Sequence, residues 1–187
     1  MANAPAHASW TFRDFVALDE DDRRELFDGQ LLEVDVPTKL HEHIIFMLVV
    51  FLGSWARPRN AGVGLVSGFK LKVSESRGVM PDVQFFRRGN PAAAGDATAL
   101  EEGHPDLVVE VISGSSARYD RIIKLEYYAA IGVPEYWIVD PSARSVERLV
   151  LQGTKYLIAQ TATEDQTFRP ESFEELEIPL GELWTLA

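Results

Sequence analysis

The predicted fold is arranged around residues 105–113, Pro105-Asp106-Leu107-Val108-Val109-Glu110-Val111-Ile112-Ser113. It is a run of β-forming residues that contains two acids, and a strand points alternate side chains to opposite faces of its sheet. One face therefore holds only apolar side chains, those of Leu107, Val109 and Val111, while the other holds Asp106, Val108, Glu110 and Ile112. An ionised carboxylate inside a sheet is costly unless a cation or hydrogen-bond donors meet it. We therefore expect a partner for Glu110.

Two other segments offer that partner. Met80-Pro81-Asp82-Val83-Gln84-Phe85-Phe86 predicts a second strand that begins at Asp82, and Tyr119-Asp120-Arg121-Ile122-Ile123-Lys124 opens a helical pattern that carries a lysine. If the strands are neighbours and the helix packs over them, Asp82 and Glu110 supply hard oxygen ligands for Mg²⁺ or Mn²⁺. Lys124 then places a positive charge beside an attacking water or a phosphate.

Composition limits the class of protein. With 187 residues, 46% of them hydrophobic and 25% charged, the chain is expected to form one soluble domain over residues 1–187, with a flexible tail at 1–9. It has no cysteine, which excludes disulfides and thiolate metal sites and fits a reducing cytoplasm. The longest apolar run, residues 44–52, is shorter than a membrane span, and the N-terminus lacks the features of a signal peptide. We expect a cytoplasmic protein that does not contact a membrane.

The net charge of −11 argues against a broad basic surface that wraps nucleic acid. It does not argue against a nuclease, because site carboxylates add to the negative sum and bound divalent cations reverse the local sign.

Hydrophobic spacing and turn residues predict the order of the elements. Helices are expected at 11–18, at 39–55 after an N-cap at Thr38, and at 117–131 before Gly132. Strands are expected at 25–27 and 30–34 around the hairpin turn Asp28-Gly29, then at 63–66, 69–73, 82–86, 105–113 and 135–140, with a second hairpin at 146–151 and 156–159. The loop at 89–95 is expected to be mobile. The strand, helix and strand between 105 and 140 predict a parallel βαβ unit.

Several separated motifs follow one another in a recognisable order. They are Glu25-Leu26-Phe27-Asp28-Gly29, Glu33 with His41, Pro81-Asp82, the 105–113 stretch, Tyr119-Asp120-Arg121 with Lys124 and Tyr128, and Gly132-Val133-Pro134-Glu135-Tyr136-Trp137-Ile138-Val139-Asp140-Pro141. This set resembles the Uma family of endonucleases, a bacterial branch of the restriction-endonuclease-like PD-(D/E)XK superfamily, over roughly residues 12–184. The resemblance implies an α/β fold with a mixed central sheet flanked by helices. It also implies a divalent metal held by Asp82 and Glu110, hydrolysis of a phosphodiester bond, and a further acid near the metal, Glu25 or Glu33.

The chain departs from the superfamily pattern at one position. A lysine usually lies two residues after the second acid, where this chain has Ile112, so the family resemblance assigns that role to Lys124. The alternative is an ordinary exposed pair between Lys124 and Asp120, four residues earlier, worth only about 0.3–0.5 kcal/mol. His41 is either a metal ligand or base, or a partly buried residue near a helix start.

Purely structural roles also remain open for two of the acids. Asp82 and Asp106 each fit a strand-start residue after a proline.

The leading hypothesis is a metal-dependent nuclease that acts on DNA, with Asp82, Glu110 and Lys124 as its catalytic set. The rival is a catalytically inactive binding or interaction module that keeps the acids as structure. A homodimer is also expected, for which exposed apolar residues of the last hairpin are a candidate interface.

Overall fold

The computed structural model describes residues 9–19, 22–33, 36–66, 68–114 and 117–186. The α-helices in this part of the chain are α1 (Phe12–Val16), α2 (Lys39–Arg59), α3 (Leu125–Ile131) and α4 (Gly181–Trp184). The strands are β1 (Arg24–Phe27), β2 (Gln30–Glu33), β3 (Gly62–Val66), β4 (Lys70–Ser74), β5 (Arg77–Val79), β6 (Val83–Arg87), β7 (Ala99–Leu100), β8 (Leu107–Val111), β9 (Glu135–Asp140), β10 (Ser145–Gln152), β11 (Lys155–Thr163), β12 (Thr167–Phe168) and β13 (Ile178–Pro179). A 3₁₀ turn covers Pro91–Ala93, and a π-helical segment covers Tyr119–Lys124.

The centre of the fold is a six-stranded sheet with the order β11-β10-β9-β8-β6-β3. Strands β8 and β9 run parallel, as the predicted βαβ unit requires, and the other neighbours in this sheet are antiparallel. A second sheet has the order β2-β1-β5-β4-β7, and β12 pairs with β13. The predicted α/β fold with a mixed central sheet, flanking helices and hairpins is confirmed. The two-residue β7 and the three-residue β5 were not predicted, because such short strands carry no readable alternation.

Strand β8 is buried on both faces, and its alternation is the one that the sequence predicts. Leu107, Val109 and Val111 belong to the core that includes the inner side of α2. Val108 and Ile112 belong to a second core, which includes side chains of α3. Glu110 therefore lies on a face that another layer of the protein covers.

The first hairpin forms where Asp28-Gly29 predicts it. Both residues have positive φ angles, 45° for Asp28 and 78° for Gly29. A two-residue hairpin turn of the primed type requires this backbone geometry, which glycine adopts without strain. The predicted second strand of this hairpin reached residue 34, which lies outside the described residues.

Helix α2 is longer than predicted. It continues to Arg59, so Pro58 lies in its last turn, and it ends at Asn60 in the left-handed conformation with φ 49°. The prediction of an end at residue 55 was wrong because the helix accommodates Pro58 in its last turn and is capped by Asn60, whose amide donates to the carbonyls of Ala56 and Arg57. The ring of Trp55 is buried, and its Nε1 donates to the carbonyl of Glu174 at 2.7 Å. Among the described helices, only α2 is long and apolar enough to cross a membrane, although its inner face is part of the protein core.

The helix predicted over 117–131 is divided in two. Its first part, Tyr119–Lys124, is π-helical and its second part is α3. Gly132 ends it with φ 84°, as the sequence predicts. π-helical segments are rare in proteins, and those that occur are often found at functional sites. Here it holds two buried charged residues, Asp120 and Lys124.

Candidate active site

Lys124 lies at the centre of a buried group of acids. Its Nζ is 2.9 Å from Oε1 of Glu110, 3.3 Å from Oε1 of Glu25 and 3.5 Å from Oδ1 of Asp120. All four residues are at most 4% exposed. We call these four residues the Lys124 cluster. Because three carboxyl groups surround one ammonium group, the cluster carries more potential negative than positive charge.

Three separate parts of the chain build the Lys124 cluster. Glu110 comes from β8 in the central sheet, Glu25 from β1 in the second sheet, and Asp120 and Lys124 from the π-helical segment. The amide of Met80 donates to Oε1 of Glu25 at 2.7 Å, which fixes that carboxyl group beside the start of β6. The burial of Asp120 and Lys124 excludes the alternative of an ordinary exposed pair.

Asp82 lies next to this cluster. The antiparallel register of β6 with β8 pairs Val83 with Val109. Asp82 precedes Val83 and Glu110 follows Val109, so these two acids lie beside each other. Oδ2 of Asp82 accepts a hydrogen bond from the amide of Val111 at 2.7 Å. The Asp82 side chain is 17% exposed, against 4% for Glu110. Asp82 is thus the more accessible of the two predicted metal ligands.

His41 reaches the same place from the first turn of α2. Its Nε2 is 3.5 Å from Oδ2 of Asp82. Burial opposes the charged imidazolium, but the carboxylate of Asp82 outweighs it and the pKa of His41 is raised. His41 is therefore a partly buried residue near a helix start that contacts Asp82, and its role as a metal ligand or base stays a prediction.

Tyr128 contacts the Lys124 cluster, although no site role for it follows from the sequence motif that contains it. Its buried hydroxyl donates a hydrogen bond to Oε1 of Glu110, the oxygen that also contacts Lys124. The available signal was spacing, because residues four apart lie on the same face of a helix and Tyr128 follows Lys124 by four. Nothing in the sequence says that this face meets Glu110.

The cluster changes the proton affinity of its members. Burial raises the pKa of Glu110 well above its ordinary value, although the charge of Lys124 works in the other direction. Burial also raises the pKa of Glu25. For Lys124 burial opposes the charge, but the surrounding carboxylates prevail and the pKa is raised. The lysine therefore stays charged, and the excess negative charge is relieved either by a proton on a glutamate or by a further cation.

Two other acids of the predicted strands, Glu33 and Asp106, lie away from the Lys124 cluster. Glu33 is exposed on β2, and because Glu25 pairs with Leu32, the neighbouring Glu33 points to the opposite face of that sheet. Asp106 accepts hydrogen bonds from the amide of Arg87 and from the side chain of Asn90, both at 2.7 Å. Asp106 thus stabilises the turn after β6, which agrees with the structural role of an acid at the start of a strand.

The donor atoms near Glu110 fit a hard divalent cation. Oε2 of Glu25 is buried without a hydrogen-bond partner, and the adjacent acids offer carboxylate oxygens. No group of three or more histidine, aspartate or glutamate side chains in the described residues is arranged to hold a metal by itself. Mg²⁺ usually takes only one or two protein carboxylates and completes its shell with water and phosphate oxygens. The pair Asp82 and Glu110 fits this mode of binding in its chemistry.

Comparison with known proteins gives a family and a fold. Residues 12–181 match the model of the family Uma2, described as "Putative restriction endonuclease". The chain is similar in structure to the crystal structure of "a putative nuclease belonging to DUF820" from Anabaena variabilis ATCC 29413, with a TM-score of 0.76 and 19% sequence identity over 93% of this chain and 97% of that one. No curated protein matches the chain. At this identity the structural likeness establishes the fold.

Proposed function

The chain belongs to the Uma2 family of restriction-endonuclease-type proteins, and on this premise we propose that it is a nuclease that hydrolyses phosphodiester bonds of DNA with Mg²⁺ or Mn²⁺ as its cofactor. The observation that carries the proposal is the position of Lys124, whose ammonium group is 2.9 Å from Glu110 although the two residues come from different elements. This arrangement places a positive charge beside the two carboxylates that would hold the metal, as the proposed hydrolysis uses.

Asp82 and Glu110 would hold the metal. When bound, a divalent ion lowers the pKa of a water molecule and stabilises negative charge on a phosphate. The amide of Val111 fixes the carboxylate of Asp82, and the hydroxyl of Tyr128 fixes that of Glu110. Both carboxylates are thus oriented before a substrate arrives, which reduces the reorganisation needed during the reaction.

Lys124 has two roles in this proposal. It keeps Glu110 in place through their ion pair, and it supplies a positive charge that does not depend on the bound metal. His41, in the first turn of α2, has its Nε2 3.5 Å from Oδ2 of Asp82. A phosphate bound at Asp82 would therefore lie close to His41.

The test is cleavage of supercoiled double-stranded DNA and circular single-stranded DNA with Mg²⁺, with Mn²⁺ and with EDTA. We expect metal-dependent cleavage by the wild-type chain and a rate lower by about 10²–10³-fold in Glu110→Gln, the range for loss of one group that stabilises developing charge. Glu33→Gln is the matched control, since it removes an exposed glutamate from the far face of the second sheet. No cleavage by wild type, or equal cleavage by the two variants, would contradict the proposal.

One observation favours a second candidate, a nuclease fold that serves as a binding or interaction module. Lys124 is already paired with carboxylates and is 4% exposed, as a purely structural lysine would be. Metal-dependent thermal stabilisation separates the two candidates, because a ligand that binds only the folded state raises stability by mass action. A shift with Mg²⁺ or Mn²⁺ that Asp82→Asn abolishes and Glu33→Gln preserves supports the nuclease. No shift supports the module.

A further inference from the structure

The outer side of α2 is an apolar stripe at the surface. Phe46 is 63% exposed, Val49 36% and Val50 40%. The inner side of the same helix is buried in the core through Ile44, Ile45, Leu48, Leu52 and Trp55. At about 100° per residue the three exposed side chains share one face with Gly53. No residue in the described part of the chain covers them enough to bury them.

The apolar part of this face lies between an acid toward its N-terminus and a base toward its C-terminus, with the exposed Lys39 one further turn before the acid. Glu42 lies one turn before Phe46, and Arg57 lies one turn after Gly53, both at exposed positions. The six residues Glu42, Phe46, Val49, Val50, Gly53 and Arg57 lie within an arc of about 100° around the helix. We call these six residues the α2 stripe. Its spacings are four, three, one, three and four residues, so they read the same in both directions.

We infer that the α2 stripe is the interface of a homodimer, in which α2 of a second copy packs antiparallel across a two-fold axis between Val49 and Val50. A two-fold interface uses the same patch on both copies, so its residues pair by their distance from the axis. Val49 then faces Val50 of the other copy. Phe46 faces Gly53, and Glu42 faces Arg57.

Each of these pairings is complementary. A Cβ added at Gly53 would meet nothing within 4 Å, so the space above this glycine is open to a phenyl ring. Large and small residues on facing positions interdigitate. Glu42 opposite Arg57 gives two ion pairs, one at each end of the interface, and antiparallel helices also bring opposite dipole ends together. No such match follows for a parallel pair, in which each residue would face its own copy.

A second copy fits this surface better than a lipid bilayer does. Helices that lie on membranes combine a broad apolar face with a polar face rich in lysine and arginine. The α2 stripe is narrow, has a glycine in its apolar part and has a glutamate at one end. One helix face is smaller than the roughly 800 Å² per partner of a standard interface. We therefore expect a dimer whose population rises with protein concentration.

Sedimentation velocity between about 1 µM and about 1 mM tests the proposal, since this range spans weak dimer affinities. We expect Glu42→Arg and Arg57→Glu each to weaken dimerisation by about tenfold because they place like charges opposite each other, and the double variant to restore it. The matched controls Glu102→Arg and Arg13→Glu make the same charge changes at exposed positions outside α2 and should leave the dimer unchanged.

Engineered cysteines test the register directly, since the chain has none of its own. A mixture of Glu42→Cys and Arg57→Cys chains should form a mixed disulfide under mild oxidation. Glu42→Cys alone should not, because the two copies of residue 42 would be about 22 Å apart along the helices and a disulfide needs Cα atoms within about 7 Å.

Four results would overturn the proposal. The first is a monomer at every concentration, and the second is a Glu42→Arg chain that behaves like its Glu102→Arg control. The third is a dimer that Gly53→Leu does not weaken. The fourth is a wild-type monomer that binds vesicles of neutral phosphatidylcholine. The third result would indicate the exposed Leu157 and Ile158 of β11 as the interface instead. Circular dichroism of the Gly53→Leu chain controls for folding, which the open space at this position should preserve.

Discussion

Replacing Lys124 with methionine tests the electrostatics of the cluster. Methionine has a similar length but no charge, so the substitution leaves the carboxyl groups of Glu25, Glu110 and Asp120 buried near one another. Removing one partner of a buried ion pair costs about 3–5 kcal/mol. In a domain of this size, each kcal/mol lowers Tm by about 2–4 °C, so we expect a decrease of about 6–20 °C.

The loss of stability should depend on pH. In the variant the pKa of Glu110 in the folded state rises further above its unfolded value, since burial remains and the opposing charge of Lys124 is gone. The folded chain then binds more protons than the unfolded chain. As pH rises, the free energy of unfolding therefore falls, by up to about 1.4 kcal/mol per pH unit for each such group. The loss relative to wild type should therefore be smaller at pH 5 than at pH 8.

Urea denaturation followed by tryptophan fluorescence at the two pH values measures both effects. Adding Glu110→Gln to Lys124→Met should recover part of the stability at pH 8, because it removes one buried charge. Lys155→Met is the matched control at an exposed position and should have no measurable effect. A loss below about 1 kcal/mol, or the same loss at both pH values, would refute the interpretation of the cluster as a buried group of interacting charges.

Three further predictions concern other contacts, and urea denaturation tests each of them. Tyr128→Phe removes the hydroxyl that donates to the carboxyl group of Glu110 and should cost about 1.5–3 kcal/mol, the range for a hydrogen bond to a charged group. An unchanged midpoint of urea denaturation would contradict this. Arg148→Met should cost about 3–5 kcal/mol because it leaves Glu135 buried without its ion pair, and the added change Glu135→Gln should recover part of that loss. Gly78→Ala should cost about 1–3 kcal/mol, because the added Cβ would come within 2.8 Å of two phenyl rings of α1. Gly53→Ala, in open space on α2, should stabilise the chain by up to about 1 kcal/mol. Equal effects of the two alanines would count against this packing.

The sequence alone predicts the parts of the fold that depend on local patterns. The alternation in 105–113 gives the two faces of β8, and Asp28-Gly29 gives the first hairpin turn. The strand, helix and strand from 105 to 140 give the parallel pair β8 and β9. These features could be predicted because side-chain period and turn geometry are properties of neighbouring residues.

The choice between Glu25 and Glu33 required the tertiary structure. Both residues lie in the same hairpin, and local patterns give each of them an equal claim. The register between β1 and β2 places them on opposite faces, and only one face is turned toward Lys124. A strand pattern that lacks clear alternation does not say which face is covered.

The amino-acid sequence determined which residue types are available here: two acids after prolines, an acid within an apolar strand, and a lysine on a helix. Folding in three dimensions brings Glu25 and Glu110 together around a buried Lys124, directs the hydroxyl of Tyr128 to the same carboxyl group and adds Asp120 to the cluster. The sequence could not show this, because the electrostatic environment of a side chain depends on what covers it. That covering comes from segments up to 99 residues apart in the chain, the separation of Glu25 from Lys124.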